Sequence, residues 1–565
     1  MFAKDVPRES KAGWREWVGL GVLTLACVVY AMDLTVLELA VPALTRDLRP
    51  SSSQLLWIVD VYGFFVAGLL ITMGTLGDRI GRRRLLLIGG AAFGVTSVLA
   101  AFSTSAGMLI ASRALLGVAG ATVAPSTLAL ISNMFPDSGQ RTFAIGVWVS
   151  AFSAGAVIGP LAGGLLLEFF WWGSVFLLAV PVMLLLLVLG PILLPEFRDP
   201  EAGRLDLVSA ALSLASVLAV VYGLKQIAQD GPGWTPALVV LAGLATGVAF
   251  LLRQRTLADP LLDLRLFRVP AFGAALATHT LAFFAIGGTF FFTAQYLQLV
   301  LGLSPLRAGL WTVPPFIAFI VGSMVAPQIV RLVRPAFVMA GGLALAAVGF
   351  GLLAGVHGDS GLTFLVGGSF VFSLGLAPVF TLATDMIVGA APPERAGAAS
   401  AISETGSELG GALGIAVLGS IGTAVYRDLM VNTVPAGAPP EATQAARETL
   451  GGAVAAGDQL PNQVGAGLLE AAREAFVQGL HVTAVVSAAI AVMLALLTVT
   501  LLRHVQTGTE PAGQLSQEPD ETNPRHQDLN VALGPAATDN HASRVRSTSP
   551  EVPGSVSDGR PRSFV

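Results

Sequence analysis

The sequence predicts an all-α polytopic membrane protein whose chain crosses the bilayer fourteen times. Hydrophobic residues make up 54% of the 565 positions and charged residues only 12%, a composition too apolar for a soluble globular protein. Apolar runs of about 20 residues, each enough for one span, recur along the chain. Arginines are concentrated in alternate connections between these runs, as expected for loops that stay on one side of a membrane.

These runs predict fourteen helices, an even number that places both termini on the same side. The arginine-bearing connections predict that this side is the cytoplasm. These connections lie at residues 79–84, 198–204, 253–268, 331–334 and 394–395. The predicted helices lie at residues 17–41, 54–76, 84–104, 107–131, 141–167, 171–194, 205–225, 234–253, 270–298, 307–328, 336–356, 361–390, 397–425 and 475–502.

The spacing of the runs divides the membrane region into six, two and six helices. Two six-helix bundles are predicted at residues 17–194 and 270–502, with two inserted helices at residues 205–253 between them. Two halves related by an internal repeat are a common plan of transporters, in which the binding site lies between the halves near mid-membrane.

Three segments are predicted outside the membrane. Residues 1–16 form a short cytoplasmic N-terminus, because the apolar run that follows is too long for a signal peptide and is expected to be retained. Two Ala-rich stretches around Pro461, residues 441–456 and 466–476, predict an external helical hairpin within residues 427–474. Residues 503–565, rich in Ser, Pro, Gly and Asp, predict a disordered cytoplasmic tail.

The composition also argues against several classes of function. The net charge of −4 provides no basic patch of the kind that nucleic acid requires. Cys27 is the single cysteine, so no intrachain disulfide and no thiolate metal site is expected. No lysine lies in a GxxxxGK[ST] loop. We find no metal-ligand cluster, cofactor loop or activated nucleophile, and we expect no cofactor and no enzymatic activity.

Residues 74–85, GTLGDRIGRRRL, interrupt two apolar runs with one acid and four arginines. We expect a tight connection in which the glycines allow a close turn and Asp78 pairs with a basic group or a helix N-terminus. The arginines would then hold the cytoplasmic side closed in one state. The alternative is a positive-inside anchor with no moving part. The predicted gating residues here are Gly74, Asp78, Arg79, Gly81, Arg82 and Arg83.

Helix 5 carries small residues at a spacing of four, a pattern that favours close helix packing. A proline among them makes the helix bendable. We therefore add these residues to the predicted gating set, although packing alone would explain the glycines. They are Gly155, Gly159, Pro160 and Gly163.

Ionisable groups within apolar helices are costly to insert and are candidate functional residues by default. Asp33 lies in helix 1, and its alternative is a solvated helix end. Arg113 in helix 4 cannot release a proton, so its expected task is to pair with a carboxylate, and Asp33 is the predicted partner. Asp60 begins helix 2 on its outer side. It has either a functional role or a favourable interaction with the helix dipole at that end.

Helix 13 carries Glu404 and Glu408, which are four residues apart and share one face. Gly406, Gly410 and Gly414 fall on the opposite face and predict close approach of a neighbouring helix. Two carboxylates one turn apart repel each other. We therefore expect at least one of them to be able to bind a proton near neutral pH. A purely structural pair would be expected to have a basic residue one turn away, and helix 13 has none on that face.

Aromatic side chains could line an apolar, adaptable substrate site. The candidates are Trp57, Tyr62, Phe291 and Tyr296. The alternative for most aromatic residues is that they face lipid or the protein core.

Six segments together resemble one family. The segments read AMDLTVLELAVPALTRDL, WIVDVYGF, GTLGDRIGRRR, SRALLGVAGA, GAVIGPLAGG and APPERAGAASAISETGSELGGALG. They resemble the fourteen-helix drug:proton antiporters of the major facilitator superfamily, specifically the exporters of quaternary ammonium compounds and dyes. The third segment resembles that superfamily's loop between helices 2 and 3, and the fifth its exporter motif.

The resemblance implies a major facilitator fold, alternating access and export of lipophilic cations in exchange for protons. It implies proton coupling by Asp33, Arg113, Glu404 and Glu408, and cation binding by the three acids among them together with Asp60. Two departures are Glu38, which stands where an Asn is usual, and helix 10, which lacks an acid that some exporters of divalent cations carry.

The expected location is the plasma membrane of a bacterium, with lipophilic cations, protons and the bilayer as partners and a monomer as the working form. Two alternatives remain at this point. One is a dedicated exporter of an endogenous metabolite or antibiotic. The other is a transport-dead membrane sensor or scaffold.

Overall fold

The computed structural model describes residues 11–50, 52–198, 206–230, 233–257, 260–357, 361–434, 439–457 and 459–503. Most of the predicted N-terminal segment, and the tail from residue 504 onward, lie outside these ranges. The α-helices are α1 (Trp14–Leu48), α2 (Ser52–Ile80), α3 (Arg82–Ala101), α4 (Ala106–Gly120), α5 (Val123–Met134), α6 (Ser138–Phe169), α7 (Ser174–Leu177), α8 (Ala179–Leu193), α9 (Leu207–Asp230), α10 (Trp234–Gln254), α11 (Pro270–Gln295), α12 (Pro305–Ile329), α13 (Pro335–Leu353), α14 (Gly361–Gly389), α15 (Ala396–Thr433), α16 (Pro440–Glu448), α17 (Leu450–Gly457) and α18 (Asn462–Leu502).

Within the described ranges, fourteen helical segments are long and apolar enough to cross a membrane. This confirms the predicted number of spans. The spans predicted at residues 107–131 and 171–194 are present, and each contains a short break, between α4 and α5 and between α7 and α8. Pro125 and Pro181 follow the breaks, and a proline cannot donate to the carbonyl four residues earlier and clashes with it.

The connection predicted at residues 74–85 is much shorter than the motif. Helix α2 continues to Ile80 and α3 begins at Arg82, so Gly81 alone joins them. Its φ of 108° is a conformation that residues with a Cβ rarely adopt, which explains a glycine at this position. We call this end of the helix bundle the Gly81 end, and the opposite end, where Trp57 lies, the Trp57 end.

The predicted hairpin differs from the structure in how its helices are divided. The first Ala-rich stretch forms two short helices, α16 and α17, instead of one. The second stretch is continuous with the last span, so that α18 is a single helix of 41 residues. The Tyr426 hydroxyl on α15 donates to the carbonyl of Ala446 on α16 at 2.5 Å, which fastens the short helices to the last turns of α15.

We call α1 to α8 the first bundle and α11 to α18 the second bundle. The seam is the surface where α2, α5 and α6 of the first contact α12, α14 and α15 of the second, and α9 and α10, which pack against each other, lie beside it. Helix α9 contacts α2 of the first bundle and α15 of the second. Val217 and Val221 of α9 form an apolar cluster with Phe64 and Ala67 of α2. The inserted pair therefore contacts both bundles.

The glycines of α6 pack against α1, as their spacing predicts. A Cβ at Gly155 would overlap the carbonyl oxygen of Val28, and a Cβ at Gly159 would overlap the Thr35 hydroxyl. Gly163 lies against Val36. The side chain of Pro160 lies outside the described part of the structure. Helix α6 thus lies directly against the segment of α1 that carries Asp33.

Replacing Gly155 by alanine is expected to destabilise the first bundle by about 1–3 kcal/mol, because the added methyl group forces α6 away from α1. The gain in helix propensity of about 1 kcal/mol offsets part of this cost. Thermal unfolding in detergent measures the effect. Gly21→Ala on α1 is the matched control, because its Cβ meets nothing within 4 Å. Equal unfolding temperatures of the two variants would contradict the close contact.

Candidate functional site

Asp33 and Arg113 form an ion pair inside the first bundle. Arg113 Nη1 lies 2.5 Å from Asp33 Oδ2, and the two residues are only 1% and 5% exposed. The contact predicted from the sequence is therefore present. The proton-coupling role of the pair stays a prediction.

The remaining donors of Arg113 are directed at the backbone of α2. Its Nε donates to the carbonyl of Ile58 at 3.1 Å and its Nη2 to the carbonyl of Val59 at 3.4 Å. The guanidinium carbon lies 4.9 Å from the centre of the Tyr62 ring, within the range of a cation–π contact. Arg113 on α4 therefore connects α1 and α2 through its side chain.

Glu404 and Glu408 lie on the face of α15 that is directed toward the first bundle. Both are half-buried, and their charges interact with each other. The charge of Glu404 also acts on Cys27 and Tyr30 of α1, and that of Glu408 acts on Tyr30 and on Tyr62 of α2. The two acids of the second bundle thus face the first bundle across the seam.

The glycine ridge of α15 packs against α11, which confirms the predicted opposition of the two faces. A Cβ at Gly410 or Gly414 would overlap the backbone carbonyl of Thr280 or Phe284, respectively. This close approach fixes the rotation of α15 about its own axis. The rotation turns the glutamates away from α11 and toward the seam.

Tyr62 lies between the two acidic sites. It is fully buried, its hydroxyl donates to the carbonyl of Tyr30 at 3.3 Å, and its ring contacts the Arg113 guanidinium. The charges of both Asp33 and Glu408 act on its phenol. The structure gives Tyr62 no exposed surface for a substrate, so a substrate contact would require rearrangement of α2.

The other predicted substrate residues are dispersed. Trp57 is 46% exposed and stacks on Tyr222 of the inserted α9. Phe291 lines a cavity of 1080 Å³ bordered by α11, α15 and the short helices at the Trp57 end. Tyr296 is buried in the second bundle, and Asp60 lies more than two turns into α2, so a dipole role at the helix N-terminus does not apply. Their roles in binding stay predictions.

Asp78 joins the two bundles at the Gly81 end. Its carboxylate accepts from Arg82 Nε at 2.8 Å and from the backbone N–H groups of Gly397 and Ala398 at 3.1 and 3.0 Å. These two amides belong to the first turn of α15, so Asp78 has both of the partners that its sequence context predicted, a basic group and a helix N-terminus.

Arg82 extends this contact. It is 1% exposed, and its Nη2 donates to the carbonyls of Pro393 and Glu394, which immediately precede α15. Gly74 on α2 packs against the backbone of Gly397. Arg83 lies apart from this junction and contacts Glu196 and the carbonyl of Leu194 in the first bundle.

The remaining gating candidate, Arg79, is partly buried beside the junction, in a cleft that also contains Asp78 and Arg395. The Gly81 end of the bundle is therefore held together by direct contacts between the halves. The gating function of these residues stays a prediction. Within the described ranges, no group of three or more His, Cys, Asp and Glu residues is placed to hold a metal ion.

A family model described as Major Facilitator Superfamily matches residues 23–415. The chain belongs to this superfamily. Its fold agrees with a solved structure of the human organic anion transporter MFSD10 (TETRAN), with a TM-score of 0.54 at 16% identity over 86% of this chain and 99% of that one. At this identity the likeness concerns the fold alone.

Curated relatives of this major facilitator protein carry names that describe efflux or resistance. The multidrug efflux pump LfrA of Mycolicibacterium smegmatis is 45% identical over 86% of this chain and 96% of its own length. The methyl viologen resistance protein SmvA of Salmonella typhimurium is 36% identical over 82% and 94%. The tetracenomycin C resistance and export protein of Streptomyces glaucescens is 33% identical over 85% and 90%.

The sequence did not predict one contact between the halves of this major facilitator protein. Arg141 Nε on α6 lies 3.0 Å from Asp385 Oδ1 on α14, and the Thr142 hydroxyl donates to the other carboxylate oxygen at 2.7 Å. The sequence contained one signal for this contact, because Asp385 and Arg141 belong to different halves and lie near the same end of the membrane.

Reversing either charge of this pair, by Arg141→Asp or Asp385→Arg, is expected to slow efflux, because like charges then oppose closure of the Gly81 end. The double exchange restores part of the activity, and a double-mutant cycle should give a coupling of about 0.5–3 kcal/mol. Dye efflux from energised cells measures it. Strictly additive effects would show that the contact does not contribute to closure.

Proposed function

We propose that this protein is a proton-coupled multidrug antiporter that exports lipophilic cations, such as quaternary ammonium compounds and dyes, by alternating access. The observation that carries the proposal is the position of two sets of acids on either side of one seam. Asp33, paired with Arg113, belongs to the first bundle, while Glu404 and Glu408 belong to the second. Similarity to efflux and resistance proteins over most of the chain supports the same function.

The two sets of acids differ in a way that suits exchange. Asp33 is buried and held by an arginine, whereas the glutamates are half-buried and repel each other. A glutamate that has bound a proton is neutral and no longer attracts a cation. One glutamate therefore cannot bind a proton and the substrate cation at the same time. We infer that the glutamates bind the substrate cation or protons in turn, with Asp60 and Phe291 contributing to the substrate path.

The junction at the Gly81 end serves as the inner gate in this proposal. Its arginines favour a cytoplasmic location for this end, and we infer that both termini lie in the cytoplasm of a bacterial cell. Contacts of Asp78, Arg82 and Arg141 with the second bundle then correspond to an outward-facing state. Transport requires these contacts to break so that the halves separate on the inside. The working form is a monomer.

The energetics of exchange are consistent with one proton for each monovalent cation. Moving one positive charge outward against an inside-negative potential costs about 2.3 kcal/mol per 100 mV. An incoming proton cancels this cost and leaves the pH gradient, worth about 1.4 kcal/mol per unit, to drive export.

Ethidium efflux from cells that express the protein tests the proposal. Efflux is expected to be fast in energised cells and to collapse when a protonophore is added. Cells with the empty vector provide the baseline. Efflux that persists with the protonophore would exclude proton coupling. If neither ethidium nor other lipophilic cations are exported, the alternative is a dedicated exporter, a role that similarity to the tetracenomycin C export protein would support.

A further inference from the structure

A basic cavity lies in the connection between the inserted helix α10 and α11. Its volume is 720 Å³, and four arginines line it, one of them from the segment that precedes α15. These are Arg255, Arg265, Arg268 and Arg395. Of the lining residues that the structure describes, Asp263 is the acid. The cavity contains none of the acids at the seam that carry the proposed exchange.

Three of these arginines are exposed, and none of the three forms an ion pair with a residue that the structure describes. Two neighbouring arginines differ from these three, because each contacts a carboxylate. Arg253 lies 2.6 Å from the Asp206 carboxylate, and Arg395 lies 2.9 Å from that of Asp263. Hydrogen bonding to Arg253 holds the pKa of Asp206 well below its usual range. Among the lining residues that the structure describes, four arginines therefore stand against one carboxylate, an excess of positive charge.

The cavity lies at the boundary between an apolar surface and the membrane exterior. The last turn of α10 exposes Leu251 and Leu252, by 42% and 55%, immediately before Arg255. Phe267, which lines the cavity beside Arg268, is 45% exposed. In a membrane these apolar side chains face acyl chains, so the arginines lie at the depth of the lipid phosphates.

We propose that this cavity binds the headgroup of an anionic phospholipid. Guanidinium groups form paired, charge-assisted hydrogen bonds with phosphate oxygens, and basic pockets between transmembrane helices are suited to anionic headgroups. A lipid fits better than a free phosphate ion because Leu252 and Phe267 provide an apolar surface for its chains next to the arginines.

The bound lipid also stabilises closure of the Gly81 end. The connection contacts both halves, since the Thr75 hydroxyl on α2 donates to the carbonyl of Leu261 at 3.1 Å and Asp263 pairs with Arg395 next to α15. Neutralising the repulsion among the arginines favours this docked arrangement of the connection. This regulatory consequence rests on the proposed function, whereas lipid binding does not.

The test measures the thermal unfolding of the full-length protein in detergent with added phosphatidylglycerol, phosphatidylcholine of the same chains, or inorganic phosphate. Phosphatidylglycerol is expected to raise the unfolding temperature more than the other two. The variant Arg265→Gln with Arg268→Gln should lose most of this shift. Arg331→Gln with Arg334→Gln, two exposed arginines between α12 and α13 at the same end, should keep it.

Two results would overturn the site. One is an equal shift with inorganic phosphate, which would indicate a free-anion site. The other is an unchanged response of the Arg265 and Arg268 variant. If that variant is poorly folded, Arg255→Gln alone, assayed in the same way, replaces it. Because the readout involves no transport, a protein that binds the lipid but exports no cation would refute the proposed function and leave this site intact.

Discussion

Replacing Arg113 by glutamine is expected to abolish proton-coupled efflux and to destabilise the first bundle by about 3–5 kcal/mol. The substitution leaves the Asp33 carboxylate buried without its guanidinium partner. It also removes donors from the carbonyls of Ile58 and Val59. Ethidium efflux and thermal unfolding in detergent measure the two effects separately.

The companion variants distinguish stability from transport. Asp33→Asn combined with Arg113→Gln removes both charges, so it should recover much of the stability while efflux stays lost. Arg113→Lys keeps a charge but cannot make the same fork of hydrogen bonds, and it should be intermediate. Protonophore-sensitive efflux in the Arg113→Gln variant would refute a role of this pair in coupling.

The second large effect is expected on α15. Glu404→Gln combined with Glu408→Gln should eliminate protonophore-sensitive efflux without loss of protein from the membrane. Glutamine keeps the shape of the side chain and removes the charge that binds a cation or a proton. The two single variants should each retain partial activity if the acids divide the two tasks. Efflux assays combined with quantification of membrane-inserted protein measure these outcomes.

Glu470 and Glu474 on α18 provide a matched control. They have the same spacing of four residues but are exposed, so their double replacement by glutamine should leave efflux unchanged. If the α15 double variant pumps as well as this control, the glutamates are not the exchange site, and the coupling must be assigned to Asp33 alone.

The sequence was sufficient to predict the number of spans and the Asp33–Arg113 contact. A charged group in an apolar helix is stable only with a partner, and few partners were available. It was not sufficient for Arg141 and Asp385, because they belong to different halves and are 244 positions apart. Nothing in the local pattern of either residue specifies which distant group it meets.

The length of α2 is a second feature that the sequence did not predict. Gly74 and Gly77 have low helix propensity and predict a loop, yet α2 continues through both. Packing of Gly74 against Gly397 and the Asp78–Arg82 pair one turn apart compensate for the low propensity. The breaks before Pro125 and Pro181 are the opposite case, since the signal was present in the sequence and proline geometry accounts for it.

The continuity of α18 has a mechanical consequence. Its 41 residues, at about 1.5 Å each, extend about 60 Å. The hydrocarbon core of a bilayer is about 30 Å thick, so α18 is about twice as long as the core. Its projecting half is thus continuous with the half in the membrane and moves with it as one rigid helix. A tilt of roughly 10° in the membrane moves the tip by roughly 5 Å. Any rocking of the second bundle is magnified where α16 and α17 are attached, so a probe placed there reports motions too small to resolve within the bilayer.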